Sequence, residues 1–273
     1  LALTRDEAER GLAAAGAAPD ARFPMYEAAL SCALHEDGAR EPDAARRLVE
    51  QAVHRLQARL PGERPEDALC EALGGDLHLT GDLFTPEDPA NTDLIAVCDR
   101  RRGLSIALGL VYLEAGRCAG LQVEGVDFPG HFLLRVETDD GPIALDPYAG
   151  GRVVMPSELT RRALSTGLTP GVANQLDALM APVSDRQVVL RLQNLIFARA
   201  VRAGDFERAE RAALRRGLLD PHDHRPWLDV AAAREGQGRL NGALEALDRA
   251  RGVGGAAASA AEIAGERVRR RLN

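Results

Sequence analysis

The chain has 273 residues, 45% of them apolar and 27% charged, with a net charge of −7. That length accommodates one large domain or two modest ones, and the acid excess argues against a nucleic-acid partner, which would need a broad basic face over the phosphates. No apolar run approaches the ~20 residues that span a bilayer, and Cys32, Cys70, Cys98 and Cys118 form neither a CxxC pair nor a disulfide framework; buried reduced thiols, a cytoplasmic location without signal peptide, and no cofactor are expected.

The first ~75 residues read as helices. Thr4 and Glu7 have capping-box spacing ahead of Ala8 and Leu12. A second helix fits Pro24 to His35. A third fits Pro42 to Leu60, where Ala45, Leu48, Val49, Ala52, Val53 and Leu56 make one stripe. Glu66 to Leu73 is a shorter helix before Gly74-Gly75. Residues 76–90 are loop-like, and Asn91 to Cys98 can be helical. The apolar segment Leu104–Ala119 reads as a buried helix ended by Gly120. The period then becomes two: Phe132, Leu134 and Val136 alternate with His131, Leu133 and Arg135. Asp139-Asp140-Gly141 signals a hairpin, and Ile143–Leu145 is the return strand. A helix is expected over Pro156–Leu164, and helical patterning resumes at Asp185.

The last third repeats itself. Gly204-Asp205-Phe206 recurs as Gly238-Arg239-Leu240. Ala198, Ala209 and Ala212 recur as Ala232, Ala243 and Ala246. A period of about 34 residues with small residues at helix contacts and Gly at the turns is that of tetratricopeptide repeats. Two repeats are too few to stand alone, so they are expected to pack on the rest of the chain, with 185–203 as the first helix.

Ser105 opens the apolar helix, His131 opens the next strand, and Asp146 ends the return strand. In papain-like and transglutaminase-like enzymes the order is the same, with Cys at the helix start. There the helix terminus and imidazole favour the thiolate. This sequence is similar to the bacterial Sir-B transglutaminase-like family, whose members carry C-terminal tetratricopeptide repeats. The resemblance runs through Arg100-Arg101-Arg102-Gly103, Tyr112-Leu113-Glu114, Val126-Asp127-Phe128-Pro129-Gly130-His131-Phe132, Leu145-Asp146-Pro147-Tyr148 and Arg191-Leu192-Gln193-Asn194-Leu195. It implies an α+β fold: a helical region over 1–75, a papain-like core with a small antiparallel sheet over 76–184, and repeat helices over 185–273.

Ser105 stands where active members of such families keep Cys. Two functions follow. One is a non-catalytic, regulatory protein-binding factor that engages a protein or peptide through the repeats, with Ser105, His131 and Asp146 as degenerate triad positions. The other is an amide or ester hydrolase, or acyl transferase, using those three as nucleophile, base and orienter. Arg100, Arg101 and Arg102, with Phe128 and Tyr148, are the candidate binding residues; internal pairing of the arginines with Asp93 and Asp99 is the competing reading. His222-Asp223-His224 and His35-Glu36-Asp37 read as solvated polar segments rather than metal sites.

Overall fold

The computed structural model describes residues 4–38, 40–253 and 256–272. Two compact units interleave along the chain: residues 41–188 form one, and residues 1–40 with 189–273 form the other.

In chain order, α1 (Arg5–Ala17) starts at Thr4, whose hydroxyl caps the Glu7 amide while Glu7 Oε2 accepts from the Thr4 amide at 2.7 Å. This is the expected capping box. Next come α2 (Met25–Glu36) and α3 (Asp43–Arg59). On α3 the predicted stripe is buried at Ala45, Leu48, Val49, Ala52 and Leu56. The helix expected over Glu66–Leu73 is α4 (Pro65–Leu69), continued as a π-helix over Cys70–Asp76. It packs closely on the chain at Gly150, where a Cβ on Gly74 would sit 2.0 Å from the carbonyl oxygen.

The predicted loop then contains β1 (Thr80–Gly81) and is followed by α5 (Leu94–Arg100) and β2 (Arg102–Gly103); β1 and β2 pair in parallel. A two-residue parallel pair has no periodicity to read. The apolar helix is α6 (Ser105–Cys118), buried along Ile106–Leu113. Gly120 follows it at φ +93°, the left-handed stop that the sequence implies.

Strands β3 (Val123–Phe128), β4 (His131–Val136) and β5 (Ile143–Asp146), then β6 (Arg152–Val154) and β7 (Pro182–Val183), form one antiparallel sheet ordered β6-β5-β4-β3-β7. Gly130, at φ +74°, makes the tight β3–β4 turn possible. One face packs on α6, so closely that a Cβ on Gly109 would lie 2.4 Å from the Phe132 ring. Alternation puts Leu133 on the other face, between His131 and Arg135, and there it is fully buried with Val126, Phe128, Ala144 and Val154. A second layer covers them, made of α7 (Pro156–Ser165), α8 (Pro170–Ala173) and α9 (Leu176–Leu179). With both faces buried, period two stops separating core from surface.

The other unit is all helical. Helix α10 (Asp185–Ala203) carries the boundary between the units and is followed by α11 (Phe206–Leu219), α12 (Arg225–Gly236), α13 (Leu240–Val253) and α14 (Ala256–Leu272). Helices α11 and α13 recur at the offset read from the sequence. Gly204 and Gly238 turn the chain at φ +72° and +75°. Ala209, Ala212, Ala243 and Ala246 are buried at the helix contacts, while the aligned Ala198 and Ala232 face outward.

His35-Glu36 is not the solvated segment expected. His35 is 1% exposed in the last turn of α2, with its Nε2 3.1 Å from Glu9. Glu36 accepts from Arg211 at 2.7 Å and from Arg215 at 2.6 Å, and the buried Arg215 also bonds Gln193 at 2.6 Å. The partners lie some 175 residues downstream, out of range of any local pattern. The thiols also differ from one another: Cys32 and Cys98 are buried, Cys70 is half-buried and Cys118 is exposed.

Candidate active site

The site corner is assembled by one helix start and two strand ends. Asn91 accepts the Leu104 amide at 3.0 Å, and this fixes the chain just before Ser105. Gly103 is required there, since a Cβ would lie 2.5 Å from Val97 and 3.2 Å from the Asn91 carbonyl oxygen. The β4–β5 ladder stops at Leu134–Leu145. Beyond it the Phe132 amide donates to Ser105 Oγ at 3.3 Å. The serine hydroxyl thus ties the start of α6 to β4.

Alternation turns Phe132 toward α6 and its neighbour His131 toward α7. By register, Asp146 lies opposite Leu133, so His131 and Asp146 share a face as a diagonal pair, with Cα atoms about 7–8 Å apart. The structure therefore brings all three sequence-predicted positions to one corner. Their bonds are not those of a triad. Asp146, 4% exposed, accepts the Tyr148 amide at 3.0 Å through Oδ1 and the Arg162 guanidinium at 2.8 Å through Oδ2.

Arg162 is the residue that sequence reading missed. It extends from α7 and also bonds Glu158 at 2.7 Å, one helical turn away. Glu158 is held down to about 2 by hydrogen bonds from Arg152 and Arg162. The Glu158–Arg162 spacing is legible as an i,i+4 pair, but its reach to Asp146 is not. Burial, and then the charge of Arg162, push His131 below the ordinary histidine range; Asp146 and Glu158 act in the opposite direction.

Asp82 is the second missed residue. It is 2% exposed, yet its carboxylate accepts from the Phe84 and Thr85 amides, the Thr85 hydroxyl and Arg100. The Thr85 hydroxyl and amide, the largest of these effects, hold it well below the usual carboxylate range. Tyr148 donates to the Asp82 carbonyl at 2.7 Å, and its ring lies over Gly81, where a Cβ would meet it at 2.4 Å. Burial, then the nearby Asp82 and Asp146, raise the Tyr148 phenol.

The candidate binding residues separate accordingly. Arg100 is paired inside the unit, with Asp82 at 3.0 Å and Asp88 at 3.2 Å, rather than with Asp93 or Asp99. Asp93 instead caps α5 through the Ala96 amide. Arg101 adopts φ +58° between α5 and β2, and Arg102 is exposed on β2. Tyr148 is half-buried and holds the Asp82 loop. Phe128 is wholly buried under α7 and offers no ligand surface. Its neighbours in sequence suggested a cleft, but strand parity sends it into the core. Among the described residues no group of three or more His, Cys, Asp or Glu side chains could hold a metal ion.

A family model described as "Transglutaminase-like superfamily" matches residues 43–194. Over 240 residues the chain is 34% identical to the UPF0162 protein of Xylella fastidiosa strain Temecula1, covering 84% of each. A UPF0162 protein of Pseudomonas aeruginosa is 33% identical over 135 residues, 48% of this chain and 49% of the relative. F-box only protein 21 of mouse is 36% identical over 69 residues, 25% of this chain and 11% of that protein. No solved structure matches the chain. A buried helix on an antiparallel sheet, with helix start and strand ends meeting at one corner, agrees with these likenesses: the chain belongs to the transglutaminase-like superfamily, as a homologue of the bacterial UPF0162 proteins.

Proposed function

We propose that this chain is a non-catalytic, Sir-B-type protein of the cytoplasm, whose transglutaminase-like unit is a scaffold and whose repeat helices bind a protein or peptide in a regulatory role. The observation that carries this reading is the capture of Asp146 by Arg162 and the Tyr148 amide. An orienting carboxylate must accept the imidazole N–H of the base, and here both oxygens serve other donors. Ser105 Oγ is likewise engaged by the Phe132 amide.

The recurrence of α11 as α13, with left-handed glycines at both turns, supports reading the helical unit as a tetratricopeptide array. A cleft of about 710 Å³ lies within that unit, lined by Arg5, Glu9, His35, Arg211, Gln237 and Arg239. Its size suits a peptide segment.

A fluorophosphonate probe tests the chemistry. It is expected to leave Ser105 unlabelled in the full chain at neutral pH; labelling that Ser105→Ala abolishes would establish the hydrolase reading instead. Peptide-array binding by the full chain, compared with a fragment of residues 41–194, tests recognition. Equal binding by the two would remove the repeats from the proposed function.

A further inference from the structure

The helical layer over the sheet leaves a space beneath it. Arg135, Ala144 and Val154 stand in register across β4, β5 and β6, on the sheet face covered by Leu159 of α7 and by Leu176 and Met180 at α9. Between that row and the helices lies a cavity of about 550 Å³. Native interiors hold few voids larger than one water molecule, and this one has the size of a small-molecule site. Ala144, at the centre of the row, has only a methyl group to fill it. The cavity includes none of Ser105, His131 and Asp146, so it is separate from the corner described above.

The lining selects the kind of occupant. Ala144, Val154, Leu159, Leu176 and Met180 offer aliphatic and thioether surface, and Met155 at the mouth is 60% exposed. Such walls give water few hydrogen-bond partners and favour an apolar guest, and thioethers adapt to its outline. Two lining residues are charged, Arg135 and Asp177, and they are not equivalent. Arg135 is already paired: Glu137 Oε1 accepts its Nε at 2.9 Å and its Nη2 at 2.8 Å. Asp177 is exposed and pairs with no cation among the described residues. The wall therefore presents one uncompensated charge, and it is negative.

We propose that this cavity binds a small cationic amphiphile, its alkyl or aromatic body lying between the sheet and α9 and its ammonium group beside Asp177. A neutral molecule of the same shape leaves the carboxylate unused, and an acid of that shape meets a like charge, so the site discriminates by attraction and by repulsion.

Calorimetric titration of the full chain with a matched series is the test. 4-Phenylbutylamine, 4-phenylbutanol and 4-phenylbutanoate share one apolar body and differ in charge. The amine is expected to bind about fivefold more tightly than the alcohol, and the acid more weakly than the alcohol. Asp177→Asn should bring the amine down to the alcohol's affinity and leave the alcohol unchanged; the residue is exposed, so the fold is not at risk. Ala144→Leu and Leu176→Trp fill the space from opposite walls, and each should abolish binding of all three compounds. Failure of the amine to bind, a preference for the acid, an amine preference that survives Asp177→Asn, or undiminished binding by a cavity-filled variant with the wild-type melting temperature would each overturn the proposal.

Discussion

Ser105 and Asp146 each tie neighbouring elements together: Ser105 bonds the Phe132 amide, and Asp146 bonds Arg162 and the Tyr148 amide. Ser105→Ala removes the bond from the Phe132 amide to the start of α6. Losing it should cost about 0.5–1.5 kcal/mol in urea unfolding, with no change in reactivity toward acyl probes. Arg162 is the stronger determinant. Arg162→Met strands the buried Asp146 carboxylate and should destabilise by about 3 kcal/mol. Adding Asp146→Asn should restore part of the loss, since a neutral amide no longer needs the cation. If Arg162→Met alone were neutral by denaturant titration, the ion pair would not hold the corner together.

At the scale of elements, the helical unit depends on two joints. The first is the crossing of α1 and α11 at Gly16, where a Cβ would lie 1.9 Å from the Leu218 carbonyl oxygen. That oxygen belongs to the backbone and cannot rotate away. Gly16→Ala should therefore separate the helices and cost at least about 2 kcal/mol, read as a lowered melting temperature. The second joint is Glu36 between α2 and α11. Burial alone would raise its carboxyl; the hydrogen bonds and charges of Arg211 and Arg215 outweigh burial and bring it to about 2.

Beside Glu36, burial and the charge of Arg215 depress His35 to about 4, against the opposing effect of Glu9. Both folded values lie below the unfolded ones, so in each case the unfolded chain binds the extra proton and stability falls with pH. For His35 the loss runs from about pH 6.5 down to 4. For Glu36 it runs from about 4.5 down to 2. Unfolding free energies measured across pH 7 to 3 should slope throughout. His35→Gln should flatten the upper part of that range and Glu36→Gln the lower part. A variant curve parallel to wild type would remove that residue from the linkage.

At the scale of the whole molecule, the sheet unit takes its chain from 41–188 without interruption, and the family match spans 43–194. A fragment of residues 41–194 contains every strand and both layers that cover the sheet. It should unfold in one cooperative transition and give dispersed amide resonances. The helical unit is discontinuous, because residues 1–40 group with 189–273. A fragment of 189–273 alone lacks α1 and α2, and with them the partner of Arg215; it should show reduced thermal stability compared with the same segment in the full chain.

The sequence by itself determined whatever depends on near neighbours. Thr4 and Glu7 cap α1, the stripe on α3 is buried, Gly120 stops α6, and the recurrence of Gly204 at Gly238 marks two equivalent turns. Each of these follows from spacing within a few residues or from one fixed period. The meeting of Ser105, His131 and Asp146 at one corner was also legible, because helix, hairpin and return strand are consecutive and can close on one another only in a few ways.

What only the tertiary structure decided is which donor each polar group meets. Asp146 reaches Arg162 rather than serving the imidazole, Asp82 gathers its loop around Arg100, and Glu36 meets arginines far along the chain. Phe128 and Leu133 are buried because a second helical layer covers their face. Long-range partners leave no period in a sequence; they are selected by the need to satisfy every buried charge once the elements have packed.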